Sequence, residues 1–483
     1  MLFTEPTFLF VFLPVVLALH LVGGMAWRNV WLVAASVVFY ASGAGAFTGL
    51  ILASIAGNYV AAIALDRARG GPAAGRLLAA VVAANVVVLV VFKYTGFLGA
   101  NLNTLAGGLG LAPLPVPDIA LPIGISFFTF HAISYVVDVA RGDAVAQKGP
   151  VAAALYLLFF PQLIAGPIIR YRDLAAQLAT RTVGVTDLAL GARRFIVGLA
   201  KKMLIANVVA GPADRLFALP AAELTAALAW LAVVCYTLQI YFDFSGYSDM
   251  AIGLGRMFGF RFPENFRYPY VATSVQDFWR RWHLSLSTWF RDYVYVPLGG
   301  SRVTPARTYL HLVIVFALCG LWHGASWTFL VWGLFHGAFL VAERLVAASR
   351  GAVTSPTGRA FGHVYALLVV MAGWVFFRAE SLPGALAMLG AMAGAGTGAP
   401  TTFGPGFYLT TEVWLALGAG VLGSMPVGPM LAARLTRASA DDAAPTFGTL
   451  ASAGTLVALL VLLSASLMLS AAGTYSPFIY FRF

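Results

Sequence analysis

The sequence predicts an all-α, polytopic membrane protein with about 11 to 13 transmembrane or re-entrant helices and additional interfacial helices. Of its 483 residues, 60% are hydrophobic and only 10% are charged, whereas soluble domains carry roughly 25% charged residues. The apolar runs are long and continuous, and they do not alternate as the strands of a membrane β-barrel do. In lipid, helices pair the backbone polar groups without water, so they are the expected structure.

Apolar runs that approach the roughly 20 residues of a spanning helix recur along the whole chain. We find no internal repeat and no change in composition that separates two domains, so residues 1–483 are expected to form one membrane domain. The candidate spans lie near residues 7–23, 29–45, 48–65, 77–98, 121–139, 152–168, 194–212, 223–242, 309–342, 361–377, 383–396, 409–426 and 450–471.

The distribution of basic residues predicts the orientation. The net charge is +11, but the Lys and Arg residues are scattered between apolar runs, which favours cytoplasmic loops over a nucleic-acid surface. Residues 170–202 and 256–307 are rich in Arg and are expected at the cytoplasmic face. Residues 100–120 and 379–433 contain no Lys or Arg, and we expect them outside. The two cysteines have no metal-ligand spacing, so no metal is expected.

One polar segment, residues 277–295, has helical periodicity. Charged and polar side chains occupy one stripe, and the other stripe is apolar, as in a helix that lies in the membrane interface. Its arginines could meet lipid phosphates, or they could hold a phosphate-bearing donor at the wall of a substrate tunnel. His283 lies at the border of the two stripes. The apolar stripe consists of Phe278, Trp282, Leu286, Trp289 and Tyr293.

His323 stands in a long run without a charged residue, from Thr308 to Ala342. As one straight helix this run would be about 52 Å long, more than the roughly 30 Å of a bilayer core, so it must tilt, break or form a hairpin. The natural break is at Gly320–Ser326, where glycines flank His323. A titratable group at this depth is costly unless it has a partner or a task, and imidazole can act as a general base.

Other interpretations of these residues remain open at this point. His323 could be satisfied by a neighbouring carbonyl group, and His283 could be structural. Cys319, four residues before His323, could form a Cys–His dyad that carries an acyl-cysteine, although small buried cysteines are common in apolar helices. His336 is expected to be a packing residue that does not share a site with His323.

These segments resemble the membrane-bound O-acyltransferase (MBOAT) family, and more closely its bacterial alginate O-acetyltransferase branch. The resemblance runs along the whole chain, so it is specific although each motif alone is weak. Leu321-Trp-His-Gly324 matches the catalytic histidine motif of the family. The other matching stretches are Leu121–His131, Phe160–Pro167, Tyr241–Met250, Ser274–His283, Trp289–Arg302 and Ser476–Phe483.

The resemblance implies an MBOAT fold with a catalytic core at roughly 121–345 in a multi-pass protein of the bacterial inner membrane. It implies transfer of an acyl group, most simply acetyl, from a thioester such as acetyl-CoA, with no bound cofactor. The acceptor would be a hydroxyl of an exported polysaccharide or of a partner that passes the group on. His323 takes the role of general base, and His283 that of the second site residue. We expect His283, or a hydrogen-bond donor near it, to stabilise the oxyanion. The expected donor-binding residues are Arg280, Arg281, Trp282 and Arg291.

Two neighbouring functions stay open. The first is transfer of D-alanine to teichoic acid, although Tyr295–Gly300 and the C-terminal Phe-Arg-Phe favour the acetylating branch. The second is a non-catalytic component of polysaccharide export or transport. A transporter would be expected to carry internal repeats and intramembrane charge pairs, and the sequence suggests neither.

Overall fold

The computed structural model describes residues 1–350, 355–396, 403–430 and 445–473, and these residues form helices and loops without a strand. Eight of the helices are long and apolar enough to cross a membrane. Three further apolar helices, Phe8–Val22, Leu382–Met392 and Thr411–Gly423, have 10–17 residues and are shorter than a full span. The chain is therefore a multi-pass helical membrane protein. The C-terminal motif 476–483 lies outside the described residues.

The helices follow one another with short connections. In chain order they are Leu13–Val22, Met25–Ala44, Phe47–Ala68, Ala74–Gly108, Ile125–Arg141, Pro150–Leu158, Phe160–Leu163, Tyr171–Ala179, Val185–Ala200 (which continues through Lys201–Ala206 into Asn207–Phe217), Ala226–Met257, Val275–Trp279, Leu284–Phe290, Arg291–Tyr295, Pro305–His323, Trp327–Arg350, Pro356–Arg378, Leu382–Met392, Pro405–Tyr408, Thr411–Gly423 and Pro445–Ala471.

The centre of the bundle is the pair of helices that spans 185–217 and 226–257. They approach so closely at Gly198 that a Cβ atom there would lie 2.5 Å from the carbonyl oxygen of Gly246. Small residues permit this close contact between membrane helices. Beside it, the buried Lys202 ammonium lies 2.6 Å from the Asp243 carboxylate. The expectation that the membrane core holds no charge pair is therefore wrong, because the partners stand on different helices and no local pattern joins them.

The predicted break at Gly320–Ser326 is confirmed, and of the three expected arrangements the run forms the hairpin. Helix Pro305–His323 ends at the histidine, and helix Trp327–Arg350 runs back against it. A Cβ atom at Gly320 would overlap the carbonyl oxygen of Phe329 across the hairpin, so glycine is needed for this close approach. We call these two helices the histidine hairpin.

The prediction of one continuous interfacial helix over 277–295 is wrong. The structure has two helices, Val275–Trp279 and Leu284–Phe290, followed by a π-helical turn at Arg291–Tyr295. The break occurs at His283, whose φ of 46° lies in the left-handed region. A non-glycine residue in this conformation costs of order 1–3 kcal/mol and needs surrounding support. The apolar stripe stays in phase across the break, so periodicity alone could not reveal it.

Ion pairs gather the arginine-rich segments at one end of the bundle, which we call the basic face. Arg170 and Arg172 bind Asp292, and Arg194 binds Glu264 at 2.6 Å. The expectation that 379–433 lies entirely at the opposite face is wrong. Gly428 and Pro429 line a cavity of the basic face, because helix Thr411–Gly423 carries the chain across the bundle.

Candidate active site

His323 lies at the end of the first helix of the histidine hairpin, inside a cage of aromatic rings. Its side chain is buried, and its ring centroid lies 5.1 Å from those of Trp332 and Phe377 and 4.8 Å from that of Trp322. The His283 ring is 6.5 Å away, centroid to centroid. The structure therefore brings the two predicted histidines together, although they are on different helices.

The sequence analysis missed two residues that hold the end of this helix. The last carbonyl groups of a helix have no partner within it. The Tyr94 hydroxyl donates to the Leu321 carbonyl at 2.5 Å, and the Lys93 ammonium donates to the carbonyls of Trp322 and, at 3.3 Å, His323. A cation at a helix C-terminus also complements the helix dipole. The available signal was that Lys93 is the only charged residue between Arg76 and Asp118.

His283 is held through its side chain. Its Nδ1 atom lies 3.1 Å from the Oδ1 atom of Asn265, which also accepts from the Ser285 amide at 3.2 Å and the Ser285 hydroxyl at 2.9 Å. The Asn265 Nδ2 atom donates to the Ser248 hydroxyl at 3.0 Å, which fixes the amide orientation. In neutral His283 the proton is therefore on Nδ1, and Nε2 is a hydrogen-bond acceptor.

Two indole N–H groups beside His323 have no acceptor. The Nε1 atoms of Trp322 and Trp332 are buried, and neither donates a hydrogen bond within the described parts of the chain. A buried donor without a partner costs about 1–3 kcal/mol. Indole is a donor only, so these two groups could be satisfied only by an acceptor from outside the described residues.

His323 faces a cavity, which we call the histidine cavity. Its volume is about 110 Å³, and Trp322, His323 and Lys93 form one side of it. The other side comes from the loop and helix start at Leu121–Phe127, together with Ile164. This side lies at the opposite end of helix Ile125–Arg141 from Arg141, which donates to the carbonyl of Asp292 at the basic face. The histidine is thus not sealed off by its neighbours.

A second cavity, which we call the arginine pocket, approaches from the basic face. Its volume is about 200 Å³, and it extends from Arg280 and Arg344 to Cys319, one helical turn before His323. The remaining lining is mostly apolar and includes Trp279, Leu286 and Phe290. Phe130 lies between the two cavities, because its ring contacts Phe290 of the arginine pocket and Trp322 of the histidine cavity.

The other expected donor-binding residues have different positions. Arg281 bonds to Asp277 at 2.9 Å and faces a separate basic cavity. Trp282 is buried against Trp374 and Phe266, with ring centroids 4.9 Å and 5.0 Å away. The Arg291 side chain is 60% exposed and binds Asp292 at 2.7 Å. Of the four expected donor-binding residues, only Arg280 therefore lines the arginine pocket.

Asp292 ties the interfacial segment to the rest of the basic face. Its carboxylate binds Arg170, Arg172 and Arg291. Burial alone raises the pKa of the Asp292 carboxyl, but the hydrogen bonds and charges of Arg291 and Arg170 outweigh it and hold the pKa below its usual value. The segment is thus anchored by a carboxylate that stays ionised at neutral pH.

A helical membrane fold that brings two buried histidines together is the arrangement expected of a membrane-embedded acyltransferase. A model of the membrane-bound O-acyltransferase family matches residues 124–381, which include both histidines and the histidine hairpin. The chain belongs to the MBOAT family and is a membrane-bound O-acyltransferase. An enzyme of this kind takes an acyl donor as a substrate.

Curated relatives extend the similarity to the full chain. The probable alginate O-acetylase AlgI of Azotobacter vinelandii is 42% identical over 504 aligned positions that cover 100% of both chains. The peptidoglycan O-acetyltransferase of Helicobacter pylori is 35% identical over 82% of this chain and 80% of its own length. The teichoic acid D-alanyltransferase of Bacillus subtilis is 31% identical over 45% of this chain and 58% of its own length.

Proposed function

We propose that the protein transfers an acetyl group from a thioester donor to a hydroxyl of an exported polysaccharide, with His323 as the general base. One observation carries this proposal. His323 lines the histidine cavity, and the arginine pocket ends one helical turn away from it, so two substrates could approach the imidazole from opposite faces. The relatives that acetylate alginate and peptidoglycan support acetyl as the group and a polysaccharide as the acceptor.

The chemistry assigns a task to each group of the site. The His323 imidazole takes the proton of the acceptor hydroxyl, and the oxygen attacks the thioester carbonyl. We assign stabilisation of the oxyanion of the tetrahedral intermediate to the indole N–H groups of Trp322 and Trp332, because both rings lie beside His323 and both donors lack an acceptor within the described residues. The intermediate then expels the thiolate, which receives the proton from His323. An ester and a free thiol result.

His283 has a different part in this scheme from the one that the resemblance suggests. Its neutral ring offers a lone pair on Nε2 and no N–H group there, so it cannot donate to an oxyanion without first being protonated. We propose that Nε2 accepts a hydrogen bond within the site and so orients the acceptor hydroxyl or the His323 ring.

The donor is proposed to enter from the basic face. The arginine pocket carries positive charge at its mouth, at Arg280 and Arg344, and apolar walls further in. This distribution suits a thioester such as acetyl-CoA, whose phosphates remain at the surface while the acyl end moves inward. We place the protein in a bacterial inner membrane with the basic face on the cytoplasmic side, because cytoplasmic loops carry an excess of Lys and Arg.

The polysaccharide is proposed to meet the histidine cavity from outside, either directly or through a partner that carries the acetyl group further. Alginate is the first candidate, because the relatives that cover the whole chain are described as alginate O-acetylases. D-alanyl transfer is less well supported, because the matching D-alanyltransferases cover only 45% of the chain. We regard residues 1–483 as one domain with its catalytic core at 121–345.

A matched pair of substitutions tests this function. His323→Gln and His336→Gln change two buried histidines of the same hairpin in the same way. In cells that lack the native copy, at equal membrane levels, acetyl ester in the exported polymer is expected to fall by at least about 10²-fold for His323→Gln and to stay near wild type for His336→Gln. Unchanged ester content in His323→Gln would refute the assignment and favour a non-catalytic export component.

A further inference from the structure

The largest cavity described here lies at the basic face and contains neither histidine. Its volume is about 960 Å³, and it lies between the helix that spans 185–217, helix Ala226–Met257 and the extended segment 260–268. We call it the basic groove.

The basic groove has more positive than negative charge. Seven Lys or Arg residues line it, against the two acids Asp249 and Glu264. Just outside the lining, Asp187 binds Arg256 and Arg261, and Asp277 binds Arg281. When these two carboxylates are counted with Asp249 and Glu264, the seven basic residues still exceed the acids by three positive charges. Within the described residues, the guanidinium groups of Arg193 and Arg267 bind no carboxylate, and both side chains line the groove.

The groove is lined by both basic and apolar side chains along its length. It follows helix Ala226–Met257 from Arg256 to Tyr241, which is about 22 Å along a helix axis. The neighbouring helix contributes Leu190 and Val197 on the same side as Arg193 and Lys201. A ligand that fills the groove is therefore expected to offer both negative charge and apolar surface.

The groove does not continue to the reactive centre. Tyr241 and Phe266 close its inner end, and both rings contact the buried Trp282, with centroids 6.2 Å and 5.0 Å away. Beyond them, Phe244 packs edge-on against the His283 ring at 4.6 Å. A donor in the groove would be separated from His323 by this aromatic layer, whereas the arginine pocket reaches Cys319.

We propose that the basic groove binds an anionic phospholipid of the adjoining leaflet, with the phosphate headgroup at Arg193 and Arg267 and an acyl chain along Leu190 and Val197. Arginine forms strong, directional hydrogen bonds with phosphate. Basic pockets between membrane helices are suited to acidic lipid headgroups. This inference is independent of the acyl-transfer proposal, because it concerns a cavity that the mechanism does not use.

Lipid titration of the purified protein, followed by native mass spectrometry, tests the inference. Phosphatidylglycerol is expected to bind wild-type protein at least about tenfold more tightly than phosphatidylcholine. The Arg193→Gln/Arg267→Gln variant is expected to lose this preference. The control variant, Arg302→Gln/Arg307→Gln, removes the same charge from two exposed arginines outside the groove and is expected to retain it. Thermal unfolding verifies that both variants are folded.

Two results would overturn the assignment. If Arg193→Gln/Arg267→Gln and the control variant bind phosphatidylglycerol equally, the groove is not the lipid site. If coenzyme A in excess displaces phosphatidylglycerol from wild-type protein but not from Arg193→Gln/Arg267→Gln, the groove holds the donor nucleotide. Loss of lipid preference with unchanged ester content in cells would leave the proposed acyl transfer intact.

Discussion

The chain holds the two histidines of the candidate site in different ways. His283 is fixed by a hydrogen bond from its own ring, and the partner Asn265 is itself bonded to Ser285 and Ser248. His323 is positioned through its backbone, which Lys93 and Tyr94 hold from a neighbouring helix. Around His323, indole N–H groups lack acceptors within the described residues. The comparison suggests a rigid, pre-set ring at His283 and a centre prepared for substrate at His323.

Among the substitutions that test this comparison, removal of the Trp332 indole N–H group is expected to lower activity most. Trp332→Phe keeps an aromatic ring beside His323 but removes the N–H group. We expect kcat to fall by about 10²–10³-fold, as for an oxyanion donor. The thermal unfolding temperature should not fall much, since a buried donor without a partner is removed.

Trp374→Phe is the control for this experiment, because the Trp374 indole already donates to the Tyr270 hydroxyl at 3.2 Å. It is expected to lower stability more than activity. Full activity of Trp332→Phe would show that this indole does not stabilise the oxyanion.

The next prediction distinguishes the role of the His283 imidazole from the role of its backbone conformation. His283→Ala and His283→Gly both remove the imidazole, and both are expected to lower kcat by about 10²-fold. Glycine tolerates the φ of 46° better than alanine, so His283→Gly should be more stable by about 1 kcal/mol. Activity and thermal unfolding of the purified variants provide the measurement. If His283→Gly restored activity, His283 would be needed only for the turn.

A smaller effect is expected from the support under His323. Lys93→Met removes the ammonium that binds the last carbonyls of the hairpin helix, at a cost of about 2 kcal/mol. If His323 is the base, its ring is then less well oriented, and kcat should fall by about tenfold. Lys93→Arg, which keeps the charge, should recover part of the loss. Transfer rates that are equal in Lys93→Met and wild type would exclude this positioning role.

The smallest effect concerns the mouth of the arginine pocket. Arg280→Gln is expected to raise KM for the thioester donor by about fivefold without a change in kcat, because an exposed charge contributes to binding only. Arg302→Gln, an exposed arginine outside the pocket, is the matched control. A fall in kcat at unchanged KM would argue against a binding role for Arg280.

The sequence predicts the parts of this molecule that follow from length and hydropathy. The uncharged run from Thr308 to Ala342 exceeds the thickness of a bilayer core, so a tilt, a break or a hairpin follows from its length, and the glycines around His323 mark the break. The helical membrane fold follows from the other apolar runs in the same way. The role of His323 comes from the motif resemblance, since burial alone fits a structural histidine equally well.

The sequence does not reveal what depends on contacts between distant segments. The break at His283 is supported by Asn265 in a separate loop, whereas the apolar stripe remains in phase across it. Lys202 and Asp243 form their pair across two helices. Of the missed residues, Lys93 alone had a visible signal, as a single charge in an apolar span.

Chemical rescue of His323→Gly tests the central claim most directly. The purified variant in lipid vesicles receives a thioester donor and an acceptor glycan, with and without added imidazole, which can enter through the histidine cavity. We predict transfer at background level without imidazole and a rate that rises with the concentration of its neutral form. His336→Gly should show no dependence on imidazole. Wild-type rates of His323→Gly without imidazole would contradict the account.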